Sequence, residues 1–302
     1  MRGAAVRRFA AWWFAPVPAE RLAMMRILVG TFAAVYLAAQ GITLWKLPTL
    51  PVRSFAPVGV LRYVLEEPIG AGLWRAMVIA TGALAVAFTV GVAHRVLAPV
   101  FAVLLLLVLS YRNSWGMVFH TENLLALHVI VLALVPAADA WSVGARGTPA
   151  ADGRYGWPLR AMAAVTCAAY VLAGIAKLRI GGLDWISGEE LRDQVAIDNL
   201  RKVLLGSTPS GLATPLLEHP GFFTAFAALT VVIELGAPVA LVGGRVAGLW
   251  ALGAWSFHVG VVLLMKIVFP YPLVGLAFAP LFAVERPAQA LLRWLQRRRG
   301  SG

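Results

Sequence analysis

The stretch "YVLAGIAKLRIGGLDWISGEEL", Tyr170–Leu191, decides how the rest of the chain is read. It begins as an apolar run suited to hydrocarbon, carries one lysine, Lys177, near its end, and passes at once into a tryptophan and a group of carboxylates. A spanning helix that ends in this way poses one question. Lys177 either marks the membrane surface, with its stem along lipid and its ammonium among headgroups, or it does chemistry.

The surrounding composition places the helix in a membrane. Of 302 residues, 60% are hydrophobic and 13% are charged, where a soluble domain carries about 25% charged residues. Mean hydropathy is +0.80. The formal net charge of +12 comes from basic residues scattered between apolar runs, the signature of cytoplasmic loops in multi-span proteins, and not from a nucleic-acid-binding patch. The single cysteine, Cys167, lies inside an apolar run and excludes an intrachain disulfide.

A spanning helix needs roughly 20 mostly apolar residues. Eight stretches qualify as candidates: Leu22–Leu44, Leu73–Val92, Leu97–Ser110, Asn123–Pro136, Pro158–Leu178, Gly221–Val242, Val246–Val268 and Tyr271–Val284. The third, fourth and eighth are short. The expected fold is therefore all-α, a polytopic bundle of seven or eight transmembrane helices. The segment 1–21 is a basic lead, 22–284 the transmembrane domain and 285–302 a basic tail. The long, uncleaved-looking first span argues against a signal peptide. With the N-terminus inside, the inner side collects Arg2, Arg7, Arg8, Arg21, Arg95, Arg245 and the arginines of the tail, so both termini are expected in the cytoplasm. Arginine and alanine abundance suggests a GC-rich bacterial genome and hence a plasma membrane. The outer loop from Arg179 to Pro220 mixes apolar and charged residues at helical spacing, which predicts a short amphipathic helix along the surface.

An ionisable group inside a span costs about 2.5–3.5 kcal/mol on insertion scales and calls for a reason. The candidates are Arg26, His120, Glu122, His128, Lys177, Glu234, His258 and Lys266. Glu234 is expected to pair with Arg26 or another cation, or to stay protonated. His258 and Lys266, eight residues apart, would lie about 80° apart on one helix and roughly 12 Å apart along it. Nucleotide-binding, zinc-protease and serine-hydrolase motifs are missing from the sequence, as is any clustered cysteine pattern, and no metal is expected. The spacing alone marks a polar cavity facing outward and names no reaction.

Three stretches together resemble the horizontally transferred transmembrane (HTTM) family, the membrane portion shared with vitamin K-dependent gamma-carboxylase. They are "YRNSWGMVFHTENLLALHVIVLALVPAADAWSVGAR", "YVLAGIAKLRIGGLDWISGEEL" with its Ala-Gly-x-x-Lys-Leu and Trp-x-x-Gly elements, and "WSFHVGVVLLMKIVFPYPLVGLAFAPLF". The resemblance implies a quinone- or hydroquinone-handling enzyme of epoxidase or carboxylase type. In it Lys177 would be the base that deprotonates a reduced vitamin K or menaquinone-like quinol, and His120 an auxiliary catalytic group. His258, Trp185 and Glu234 would line the substrate pocket. A lysine is a base near neutrality only where desolvation favours its free amine. The carboxylase continues into a large lumenal portion that presents its glutamate substrate. This sequence ends at Gly302 in a basic tail, so a quinone-handling core is the expectation, not protein carboxylation. The expected partners are membrane lipids and a lipid-soluble quinone-like molecule. A non-enzymatic binding or accessory protein of a quinone-linked pathway is the alternative, and a transporter is the third reading.

Overall fold

The computed structural model of the protein describes residues 2–116, 122–145 and 147–299. Among these residues regular structure is helical, apart from one isolated antiparallel bridge between Val17 and Asp152. The ten helices of ten or more residues are α1 (Arg2–Trp13), α2 (Ala19–Ala39), α3 (Ala71–Val90), α4 (His94–Asn113), α5 (Asn123–Ala133), α6 (Gly153–Gly181), α7 (Glu189–Leu204), α8 (Pro220–Leu235), α9 (Gly244–Met265) and α10 (Arg286–Arg299). Five of them, α2, α3, α4, α6 and α9, are long and apolar enough to cross a membrane, while α5 and α8 are shorter apolar helices. The chain is an all-α integral membrane protein.

Backbone chemistry explains where the expected spans change. The run Leu97–Ser110 recruits flanking residues, and α4 reaches 20 residues from His94 to Asn113. The run Gly221–Val242 stops as α-helix at Leu235. Gly236 and Pro238 follow, and Ala237–Val242 continues only as a 3-10 turn. The eighth stretch, Tyr271–Val284, is not one helix. Pro270, Pro272 and Pro280 each remove an amide donor and Gly275 sits at φ 80°, so only the short pieces Pro270–Leu273 and Ala279–Leu281 form.

The chain divides into two compact units. The first comprises residues 1–162 and 282–302. Its center is α2, whose Leu22, Met25, Val29 and Ala33 are fully buried at helical spacing, with α3 and α5 packed on it and α4 against both. Lipid is as apolar as leucine, so this packing is held by close contact and by interhelical hydrogen bonds more than by the hydrophobic effect. One such bond runs from Trp74 Nε1 to the carbonyl of Leu44 at 2.7 Å.

The second unit comprises residues 163–281. Here α8 packs on α7, on α9 and on the short helix Asp184–Ser187. The helix expected between Arg179 and Pro220 forms as α7. It turns Val195 inward against Ala213, Phe223 and Leu264, and leaves Ile197, Leu200 and Leu204 exposed.

Candidate functional site

Lys177 lies on the last turns of α6, one face of which carries Tyr170, Gly174 and Lys177 at spacings of four and three residues. Gly174 is the reason α8 comes close. A Cβ there would stand 2.9 Å from Leu235 Cδ2 and 3.1 Å from Glu234 Cβ, and any larger residue would push the two helices apart. The approach puts the Glu234 carboxylate on the Lys177 amine, and the two form an ion pair through Oε1. The side chain of Glu234 is 3% exposed and that of Lys177 19%. The amine is turned onto a buried carboxylate.

Aromatic rings enclose the amine. Lys177 Nζ lies 5.5 Å from the ring center of Trp185 and 5.6 Å from that of Phe257, distances at which a cation is attracted to a ring face. Phe257 in turn sits 5.1 Å from the His258 ring. His258 Nε2 is hydrogen-bonded to the Tyr170 hydroxyl at 2.7 Å, and Tyr170 rests edge-on against Trp250 at 5.1 Å. All these residues belong to the second unit.

Three atoms of this cluster are buried without a hydrogen-bond partner: Trp185 Nε1, Glu234 Oε2 and His258 Nδ1. Most buried polar groups in native structures are paired, and an orphan costs about 1–3 kcal/mol. Here a donor, an acceptor and an imidazole nitrogen stand unpaired around one lysine. Hydrogen-bonding capacity of both kinds is thus left unused beside the aromatic rings.

Four residues expected from the sequence, Lys177, Glu234, Trp185 and His258, are thus brought together. His120 lies outside the described residues. Arg26 does not pair with Glu234: it is fully buried in the first unit, and its Nη2 donates to the carbonyl of Trp141 at 2.5 Å. Lys266 does not share a helical face with His258, because α9 ends at Met265 and Lys266 turns out of it at φ 48°. Its Nζ donates to the carbonyl of Thr208 at 3.2 Å. Glu122 belongs to a separate cluster in the first unit, where it accepts from both Tyr36 and Arg112. Buried His128 bonds through Nε2 to the carbonyl of Met162 at 3.1 Å. Sequence reasoning missed Tyr170 and Phe257. The seven-residue spacing of Tyr170 from Lys177 was the available signal for the first.

A protein-family model described as HTTM domain matches residues 14–286. No curated protein and no solved structure matches the chain.

Proposed function

The chain belongs to the HTTM domain family, and from that premise we propose that the Lys177 site binds a lipid-soluble quinol and removes its phenolic proton. The observation that carries this reading is a lysine–carboxylate pair in a cluster with three unpaired buried atoms, Trp185 Nε1, His258 Nδ1 and Oε2 of the carboxylate itself. A quinol of the reduced vitamin K or menaquinone type has an oxygen to accept from Trp185 Nε1, a hydroxyl to donate to Glu234 Oε2 or His258 Nδ1, and an apolar ring suited to Phe257 and Trp185. When bound it supplies a phenolic O–H whose loss opens the ring to oxidation.

Lys177 is the base in this reading and Glu234 sets when it acts. In the resting ion pair the amine holds its proton. Passing that proton to Glu234 leaves a neutral amine and a neutral acid, so no net charge is created in a dry site. The free amine then accepts the phenolic proton, and the ammonium formed faces the phenolate. His258, oriented by Tyr170, stands as a second acceptor. The setting in this reading is a bacterial plasma membrane with both termini in the cytoplasm, which rests on the distribution of basic residues.

The ion pair itself favors a second reading. A lysine held charged by a carboxylate is a poor base and a good donor to a carbonyl, which suits a binding or accessory protein of a quinone-linked pathway. One experiment separates the two. Purified wild type and Lys177→Ala are given reduced menaquinone or vitamin K hydroquinone with oxygen, and epoxide is followed by chromatography. Epoxide from wild type alone supports the enzyme, whereas quinone binding without turnover supports the accessory protein. Equal behavior of both proteins, with no binding, removes the site.

A further inference from the structure

A cleft lies within the first unit, between the turn joining α3 to α4 and the loop that follows α5. The two segments enclose a cleft of about 480 Å³ lined in part by Gly91, Ala93, His94, Arg95, Asp139 and Ser142. The geometry points to a binding site for a phosphate-bearing anion, with an anionic phospholipid headgroup and free phosphate as its two possible sources.

Four features converge there. The helix α4 begins at His94, and its cap residue Ala93 offers no side-chain cap. Among the described residues, the main-chain N–H groups of His94 and Arg95 make no hydrogen bond. Free amides and the positive end of the helix dipole make such a terminus attractive to anions. The second feature is independent of the first. His94 is 6% exposed, and its Nε2 donates to the carbonyl of Leu132 at 3.1 Å, while its Nδ1 is buried with no partner. With its proton on Nε2, the neutral imidazole offers Nδ1 as an acceptor for a protonated phosphate oxygen.

Charge is the third feature. Arg95 is exposed on the cleft. Behind the lining residue Gly91 lies Arg26, fully buried, whose guanidinium bonds to the carbonyls of Phe88 and Trp141. Its Nε is unpaired, and among the described residues no carboxylate neutralises it. A buried guanidinium without a counter-charge is costly, and an anion in the adjacent cleft would offset that cost. The carboxylate facing the cleft, Asp139, is already engaged, accepting from the Tyr155 hydroxyl at 2.7 Å and lying 3.3 Å from Arg154 Nη2.

Backbone strain is the fourth. Ala93, which lines the cleft, sits at φ 44°, and Trp141, whose carbonyl accepts from Arg26, at φ 47°; such conformations gather at ligand sites. Gly91 is required twice over. It sits at φ 77°, and a Cβ there would fall 1.8 Å from Arg26 Nη1. Basic pockets between transmembrane helices hold lipid headgroups by this chemistry.

The test uses the full-length protein in detergent and reads its thermal midpoint while phosphatidylglycerol, phosphatidylcholine or inorganic phosphate is added at constant ionic strength. The variants are Arg95→Glu and Val143→Asp, both at exposed positions on the cleft, with Arg53→Glu, exposed on another loop, as a charge-matched control. Phosphatidylglycerol should stabilise the wild type where phosphatidylcholine does not, with half-saturation about tenfold higher in Arg95→Glu and unchanged in Arg53→Glu. The same pattern with inorganic phosphate alone identifies a soluble anion as the source and also supports the site. Val143→Asp must weaken the effect too, so a folding failure of one variant leaves the test intact. Stabilisation by neither anion, or equal loss in Arg95→Glu and Arg53→Glu, overturns the proposal.

Discussion

Replacing Lys177 by Met should destabilise the protein far more than replacing Glu234 by Gln. The structure fixes the asymmetry. Glu234 is 3% exposed at its side chain and Lys177 is 19% exposed, so removing the lysine strands a carboxylate with almost no access to solvent. Removing the carboxylate strands an amine that still reaches some. Breaking a buried pair from one side typically costs 3–5 kcal/mol, roughly the figure expected for Lys177→Met; replacing both partners by apolar residues is often nearly neutral, and a glutamine at 234 adds only the cost of an uncharged buried amide. For Glu234→Gln the amide still accepts from Nζ, and the loss should be about 1–2 kcal/mol. The double variant Lys177→Met/Glu234→Gln should recover most of the loss seen in Lys177→Met, to within about 1–2 kcal/mol of wild type. Denaturant unfolding in mixed micelles, followed by tryptophan fluorescence, measures all four proteins and closes a double-mutant cycle. If the double variant proves no more stable than Lys177→Met, the pair is not the buried unit described and the reasoning fails.

Three further outcomes follow from the same geometry. Gly174→Ala introduces a methyl within 2.9 Å of Leu235 and 3.1 Å of Glu234 Cβ, which should cost about 1–3 kcal/mol and lower the thermal midpoint, with Ala173→Gly as the milder neighbor. Tyr170→Phe removes the bond to His258 Nε2 and should cost about 1–3 kcal/mol by orphaning that nitrogen, read in the same unfolding assay. On α7, burial would raise the pKa of Asp198, but Lys202 and Arg201 outweigh it and hold the carboxyl below its ordinary 3.8. A depressed carboxylate contributes stability above its unfolded pKa and loses it as pH falls through the folded value. Protection factors for amide exchange across 189–204 should therefore fall in wild type only below about pH 4, and Asp198→Asn should remove that acid limb.

Much of this molecule is written in its apolar runs, and what is not shows where hydropathy stops being informative. Hydropathy counts side chains. It found the interiors of α2, α3, α6 and α9, yet it cannot register a missing amide donor, so Tyr271–Val284 looked like a span although Pro272, Gly275 and Pro280 interrupt it. It also cannot see that polar residues such as His94 and Asn113 extend α4 at its ends. The site was half legible. Lys177, Glu234, His258 and Trp185 stand out because each is polar or amphipathic near apolar sequence. Their pairing was not legible: Arg26 and Lys177 were both available to Glu234, and only the close approach allowed by Gly174 selects Lys177. Lys266 looked helical until its left-handed backbone carried it off the helix end. Tyr170 went unnoticed because a tyrosine in a span has an ordinary role as packing.

The central claim is that the Lys177 cluster holds a quinol, and native mass spectrometry of the protein released from nanodiscs doped with menaquinone tests it most directly. The account predicts one retained menaquinone on wild type and none on Lys177→Met/Glu234→Gln, the variant expected to keep its fold. Equal retention on both, or retention on neither, would contradict it.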